Sequence, residues 1–215
     1  MGNGSELRQE PRWSRRKEAR PEEITSAALD LFVERGYAAT RLEDVAAKAG
    51  VSKGTVYLYF ANKEELFKAV VREGLVFPLA AFKDRAEHHD GDTVSLLRLL
   101  MCGWWEKIGS TRVSGIPKLI LAESGNFPEL ARFYVAEVVE PGHEVVMRII
   151  RRGIERGDLR DVDPDHVARL VVAPLLLATL WRTSLAPHTT LPVDPQGYLD
   201  AHLDLLERGL RKEPS

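Results

Sequence analysis

The chain has 215 residues, 44% of them hydrophobic, enough for a small domain of about 60 residues and a larger one with its own core. A net charge of −2 excludes a global attraction to nucleic acid, so any such affinity must come from local charge placement. The single cysteine, Cys102, excludes an internal disulfide and suits a reducing compartment; polar first residues exclude a signal peptide, and Glu6 in the required hydroxyl position excludes myristoylation of Gly2.

In chain order, residues 1 to about 16 are rich in Gly, Asn, Ser and Pro and predict disorder. Arg12, Arg15, Arg16, Lys17 and Arg20 stand there against Glu18 alone, so residues 1–17 read either as a flexible basic arm or as a solvated tail. A first helix is predicted from about Pro21 to Arg35, with Ile24, Ala27, Ala28, Leu31 and Phe32 as its stripe and Gly36 as its stop. Thr40 and Glu43 predict a capping box, followed by Leu42, Val45, Ala46 and Ala49 at helical spacing. Gly50 suits a left-handed helix end, and Ser52 can cap the next helix at once. That helix, Lys53 to about Tyr59, is too short to stand alone and must be packed down through Val56 and Phe60. Lys53, Thr55, Tyr57 and Tyr59 then fall on its other side, donors and rings suited to phosphates and base edges. Gly54 permits close backbone approach. Asn62 with Glu65 caps a long helix from Glu64 to about Ala81.

Beyond it the pattern stays helical. Asp92 caps a helix with Val94, Leu97, Leu100 and Met101 inward, and a shorter one spans about Val113 to Ala122. Pro128 to Arg156 has helical periodicity, with a bend or break expected at Pro141-Gly142. Asp163-Pro164 and Asp194-Pro195 open the last two helices, each an N-cap followed by proline. The longest apolar run, Leu170 to Trp181 interrupted only by Thr179, contains Pro174 and is too short to span a bilayer, so no membrane is expected. The whole reads as all-α, about nine helices.

Two short helices hinged at Ala49-Gly50-Val51-Ser52 make a helix-turn-helix over residues 41–60. With Ala46, Gly54, Tyr57, Phe60, Lys63 and Leu66, this stretch resembles the TetR family of bacterial transcriptional regulators, strongly over residues 18–78. The remainder, 79–215, resembles the helical regulatory domains of that family. The resemblance implies a double-stranded DNA operator as partner, a cytoplasmic location, and contacts from Lys53, Thr55 and Tyr57, with Tyr59 and Lys63 on phosphates. Thr40 and Arg41 would clamp phosphates at the start of the preceding helix, and Ser52 would complete the set. Leu42 and Glu43 depart from the polar or basic residues many relatives carry, which points base reading to the third helix.

In the second domain, Met101, Trp104, Trp105, Phe127, Phe133, Tyr134, Met147 and Trp181 could line one cavity or simply form core. The resemblance implies a small-molecule effector there, taken as largely apolar or aromatic. Leu176 and Leu180 on the eighth helix, with Leu199, Leu203, Leu206 and Leu210 on the ninth, predict a four-helix homodimer seam. Catalysis is not expected. Glu140 and His143 have Glu-x-x-His spacing, but a second copy is absent and Pro141-Gly142 works against the continuous helix that motif needs. His88-His89 lies in a polar stretch; phosphate-binding glycine loops, nucleophile elbows and zinc cysteine spacings are absent. No metal or cofactor is expected.

Overall fold

The computed structural model describes residues 12–191 and 194–212, with side chains from Pro21 onward. Among these residues there are nine helices and no strand beyond an isolated bridge between Leu159 and Arg211. The first helix, α1 (Arg12–Arg35), starts well before Pro21, so residues 12–17 of the expected arm fall within it; residues 1–11 lie outside the described residues. It ends at Gly36, where φ is +86°. Next come α2 (Leu42–Lys48) and α3 (Lys53–Tyr59). Ile24, Ala28, Phe32, Val45, Val56, Leu66 and Phe67 close the core of this N-terminal unit. Burying such side chains is worth roughly 1.5–3 kcal/mol each, which is what holds a seven-residue α3 in place.

The long helices run further than the proline pattern predicts. α4 (63–87) joins Lys63–Val71 to Phe77–Glu87 through a π-helical turn, Arg72–Val76. α7 (128–155) joins Pro128–Tyr134 to Glu140–Glu155 through the π turn Val135–Val139, so the break expected at Pro141-Gly142 is replaced by a continuous helix. α8 (164–185) continues from Pro164–Leu180 into the π turn Trp181–Leu185. In all three the π turn ends two residues before a proline: Pro78, Pro141 and Pro187. A proline lacks its N–H and its ring crowds the carbonyl four residues back; widening that turn relieves both problems without stopping the helix. The other helices are α5 (93–109), α6 (Gly115–Glu123) and α9 (Pro195–Leu210).

The predicted aspartate and asparagine caps form. Asp92 accepts from Val94 and Ser95, Asp163 from Asp165 and His166, Asp194 from Gln196 and Gly197, and Asn62 from Glu65. With the short 3-10 turn after it, α8 makes a 25-residue rod, Pro164–His188, long and apolar enough by length and composition to cross a membrane; the run read in the sequence understated it. Polar ties hold this rod in the body. His143 Nε2 lies 2.8 Å from Asp165 Oδ1, His202 Nε2 lies 3.2 Å from the Val171 carbonyl, and Arg182 donates to the carbonyls of Gly109 and Thr111.

Candidate nucleic-acid interface

The turn between α2 and α3 is built as the sequence implies. Gly50 has φ +68°, and Ser52 Oγ accepts the Thr55 N–H at 3.1 Å. Val56 and Phe60 face the core, which turns the opposite side of α3 outward: Tyr57 is 46% exposed and Leu58 77%. Lys53, Gly54 and Tyr59 share that exposure, and Thr55 is half-buried with its hydroxyl 2.9 Å from Ser52 Oγ. Nothing within the protein demands glycine at position 54, since a Cβ there would meet only Ser52 Oγ at 3.8 Å. Leu58 was missed in the sequence, although its place two residues from Val56 on a helix puts it opposite the core. Beside α3 lies an open groove lined by Arg41, Leu42, Glu43, Tyr57, Asn62 and Lys63.

Three expectations for this surface are corrected. The Thr40–Glu43 capping box does not form: α2 begins after Arg41, which makes no side-chain cap. Thr40 is 1% exposed and its hydroxyl donates to the carbonyls of Gly36 (2.7 Å) and Leu31 (3.2 Å), closing the end of α1 instead of reaching outward. Glu43 pairs with Lys53 across the two helices. This hydrogen bond holds the Glu43 carboxyl below its usual range and raises the Lys53 ammonium above its own. Lys63 is not an outward phosphate clamp in this structure. Its Nζ donates to the carbonyls of Tyr37 (2.8 Å) and Ala38 (3.1 Å) and sits 4.5 Å from the centre of the Tyr37 ring. Burial lowers its pKa, opposed by the Glu123 carboxylate.

The second domain rearranges the expected pocket and seam. Phe127 packs edge-on against Tyr37 at 4.8 Å, and Phe133 lies beneath Arg72 and Lys68; both therefore stand at the contact with the N-terminal unit. Met101 is buried in the core, while Trp104, Trp105, Tyr134, Met147 and Trp181 are half-buried. Burial alone pushes the Tyr134 hydroxyl up to about 12, and the Trp181 indole N–H is enclosed without an acceptor among the described residues. An open cleft also lies between α4 and α7, lined by Val76, Leu79, Ala80, Lys83, Glu137, Pro141, Glu144 and Arg148. The seam moves too. Leu199, Leu203 and Leu210 are at most 5% exposed within one chain, and Leu176, Leu180 and Leu206 are half-buried. On α8 and α9 the outward apolar residues are Leu170 (62%), Leu177 (57%), Leu185 (51%) and Leu205 (70%).

The objection raised against the Glu140–His143 pair also falls, since the helix is continuous there, but His143 engages Asp165. Among the described residues no group of three or more His, Cys, Asp or Glu side chains could hold a metal ion.

A buried three-helix unit that presents α3, joined by a long helix to a larger helical domain, defines a helix-turn-helix regulator of two domains. Residues 24–70 match the model of bacterial regulatory proteins of the tetR family, and residues 88–191 the tetracyclin repressor-like C-terminal domain. The transcriptional regulator RutR of Escherichia coli K12 is 46% identical over 178 residues, covering 74% of each chain. The transcriptional repressor KstR2 of Mycobacterium tuberculosis is 26% identical over 193 residues, 89% of this chain and 92% of its own. The crystal structure of the regulator FadR from Bacillus subtilis in complex with stearoyl-CoA superposes with a TM-score of 0.74 at 21% identity, over 87% of this chain and 98% of that one. The chain belongs to the TetR family, and is a DNA-binding transcriptional regulator.

Proposed function

We propose that this regulator is a homodimeric repressor whose two α3 helices occupy successive major grooves of a near-palindromic operator, and which a small molecule releases. The observation that carries the reading is the outward face of α3, where Lys53, Gly54, Tyr57 and Leu58 stand exposed on a helix fastened from behind by Val56 and Phe60. Lys53 meets phosphates or base edges, and Tyr57 and Leu58 offer apolar surface to thymine methyl groups. The glycine at 54 answers a need outside the protein, the approach of backbone to DNA. Leu170 and Leu177 on α8, with Leu205 on α9, supply the dimer face, because exposed leucines favour burial against a second copy.

The effector is a proposal of the same kind. FadR is named with stearoyl-CoA, and the cleft between α4 and α7 joins an apolar floor to Lys83 and to Arg148, the latter paired with Glu144 at 3.2 Å. A molecule bound better by one arrangement of the two domains shifts the balance between DNA-competent and released forms. The protein acts in the cytoplasm.

Selection of bound duplexes from a random pool tests the reading. An inverted repeat with half-sites about 10 base pairs apart, or a multiple of that, is expected; a pool that stays random after repeated rounds would overturn it.

A further inference from the structure

We infer that Glu123, in the C-terminal domain, is the positioning residue that sets the DNA reader, by seating its carboxylate in the backbone nest at the end of α1. The inference rests on the DNA-reading function proposed above.

Glu123 is the last residue of α6. Its Oε1 accepts the N–H of Tyr37 at 3.0 Å and of Ala38 at 3.3 Å, more than eighty residues away in the chain. Successive N–H groups following a left-handed residue form a concavity that attracts an anion, and Gly36 supplies that residue with φ +86°. A Cβ at position 36 would stand 3.1 Å from the same carboxylate oxygen. The carbonyls of the same two residues are taken by Lys63 of α4. The peptide segment 37–38 is thus gripped on both edges, its donors by the C-terminal domain and its acceptors by the reader's own frame. Two residues on, Thr40 is buried under α1 and Arg41 opens α2, so displacement of this segment is passed to the helix that flanks the DNA groove.

The other end of α6 is fastened as well. Gly115 lies so close to α1 that a Cβ would meet Val33 at 2.6 Å, and Arg112 just before α6 donates to Asp30 and Ser26 of α1. One short helix and the turn before it therefore bridge from the larger domain to α1 and to the segment that follows α1. The contacts differ in what they tolerate. The apolar contact of Phe127 with Tyr37 survives sliding, whereas hydrogen bonds to a carboxylate weaken steeply once distance or angle is lost. Small movements of α6 are therefore felt at Tyr37 and Ala38 before the domains part.

The test uses the full-length protein, a duplex recovered by selection, and the variants Glu123→Ala, Glu123→Asp, Glu123→Gln and Glu123→Leu. Two quantities are read: amide hydrogen exchange at Tyr37 and Ala38, and Kd for the duplex. Glu123→Ala should speed exchange at these two amides and raise Kd about five-fold or more, the lower end of typical coupling between sites. Glu123→Asp, one methylene too short to reach the nest, should do the same even if the alanine variant fails to fold. Glu123→Gln keeps an acceptor oxygen and should recover most of the wild-type protection and affinity, whereas Glu123→Leu, of similar bulk but without an acceptor, should recover neither, the opposite of what a merely space-filling role requires. Wild-type exchange at Tyr37 and Ala38 in Glu123→Asp, or faster exchange with unchanged Kd, would overturn the positioning role. Wild-type protein that binds no selected duplex would instead overturn the DNA-reading function.

Discussion

Among the residues of the reader, both lysines expected to meet DNA are already engaged before DNA arrives. Lys53 is matched with Glu43, and Lys63 with two backbone carbonyls. Binding at Lys53 thus exchanges a carboxylate for a phosphate. Both partners of that pair are largely exposed, and surface pairs of this kind contribute little to stability. Glu43→Gln should therefore leave folding almost unchanged while strengthening binding to any duplex, and should steepen the salt dependence by up to about one ion per subunit. Titrations at several salt concentrations check this; an unaltered slope would mean that Lys53 does not meet the backbone. The Lys53–Glu43 pair was not foreseen because it joins two helices, and local spacing assigned Glu43 to a cap.

At the level of elements, local chemistry written in a few adjacent residues was legible. Asp92, Asp163 and Asp194 cap as their patterns imply, and Gly36 and Gly50 end helices in the left-handed region. Contacts between elements were not. Thr40 closes α1 because the carbonyls of Leu31 and Gly36 lie within reach of its hydroxyl, and nothing in Thr40–Glu43 encodes their position. Pro141-Gly142 was read as a bend or break because the sequence does not display a π turn, the device by which α7 carries on past Pro141. Gly36→Ala tests the α1 end directly. A left-handed non-glycine residue costs about 1–2 kcal/mol, and the added methyl also crowds Glu123. Denaturant unfolding should show a lowered midpoint, and an unchanged midpoint would contradict the geometry of the nest.

For the whole molecule, the same distinction governs the dimer. The leucines of α9 were legible as an apolar stripe, but periodicity does not say whether a stripe meets its own chain or another. Leu199, Leu203 and Leu210 meet their own chain. The reading proposed above assigns Leu205 and the outer leucines Leu170 and Leu177 of α8 to the second copy. Leu177→Asp should shift the protein toward monomer in sedimentation and weaken operator binding, with helix content retained, because the substituted position is exposed in the single chain and a charge there is desolvated only on association. A Leu177→Asp protein that remains dimeric would place the interface elsewhere.

The central claim is that α3 reads bases, and the most direct measurement is the ratio of affinities for the selected duplex and for random DNA, in wild type and in Tyr57→Ala. Tyr57 stands mid-helix and exposed, with Lys53 Nζ 5.7 Å from the centre of its ring. Removing its ring should weaken the selected complex by about 1–3 kcal/mol while changing random-sequence binding far less, so that the ratio falls. Equal ratios for the two proteins would contradict the account.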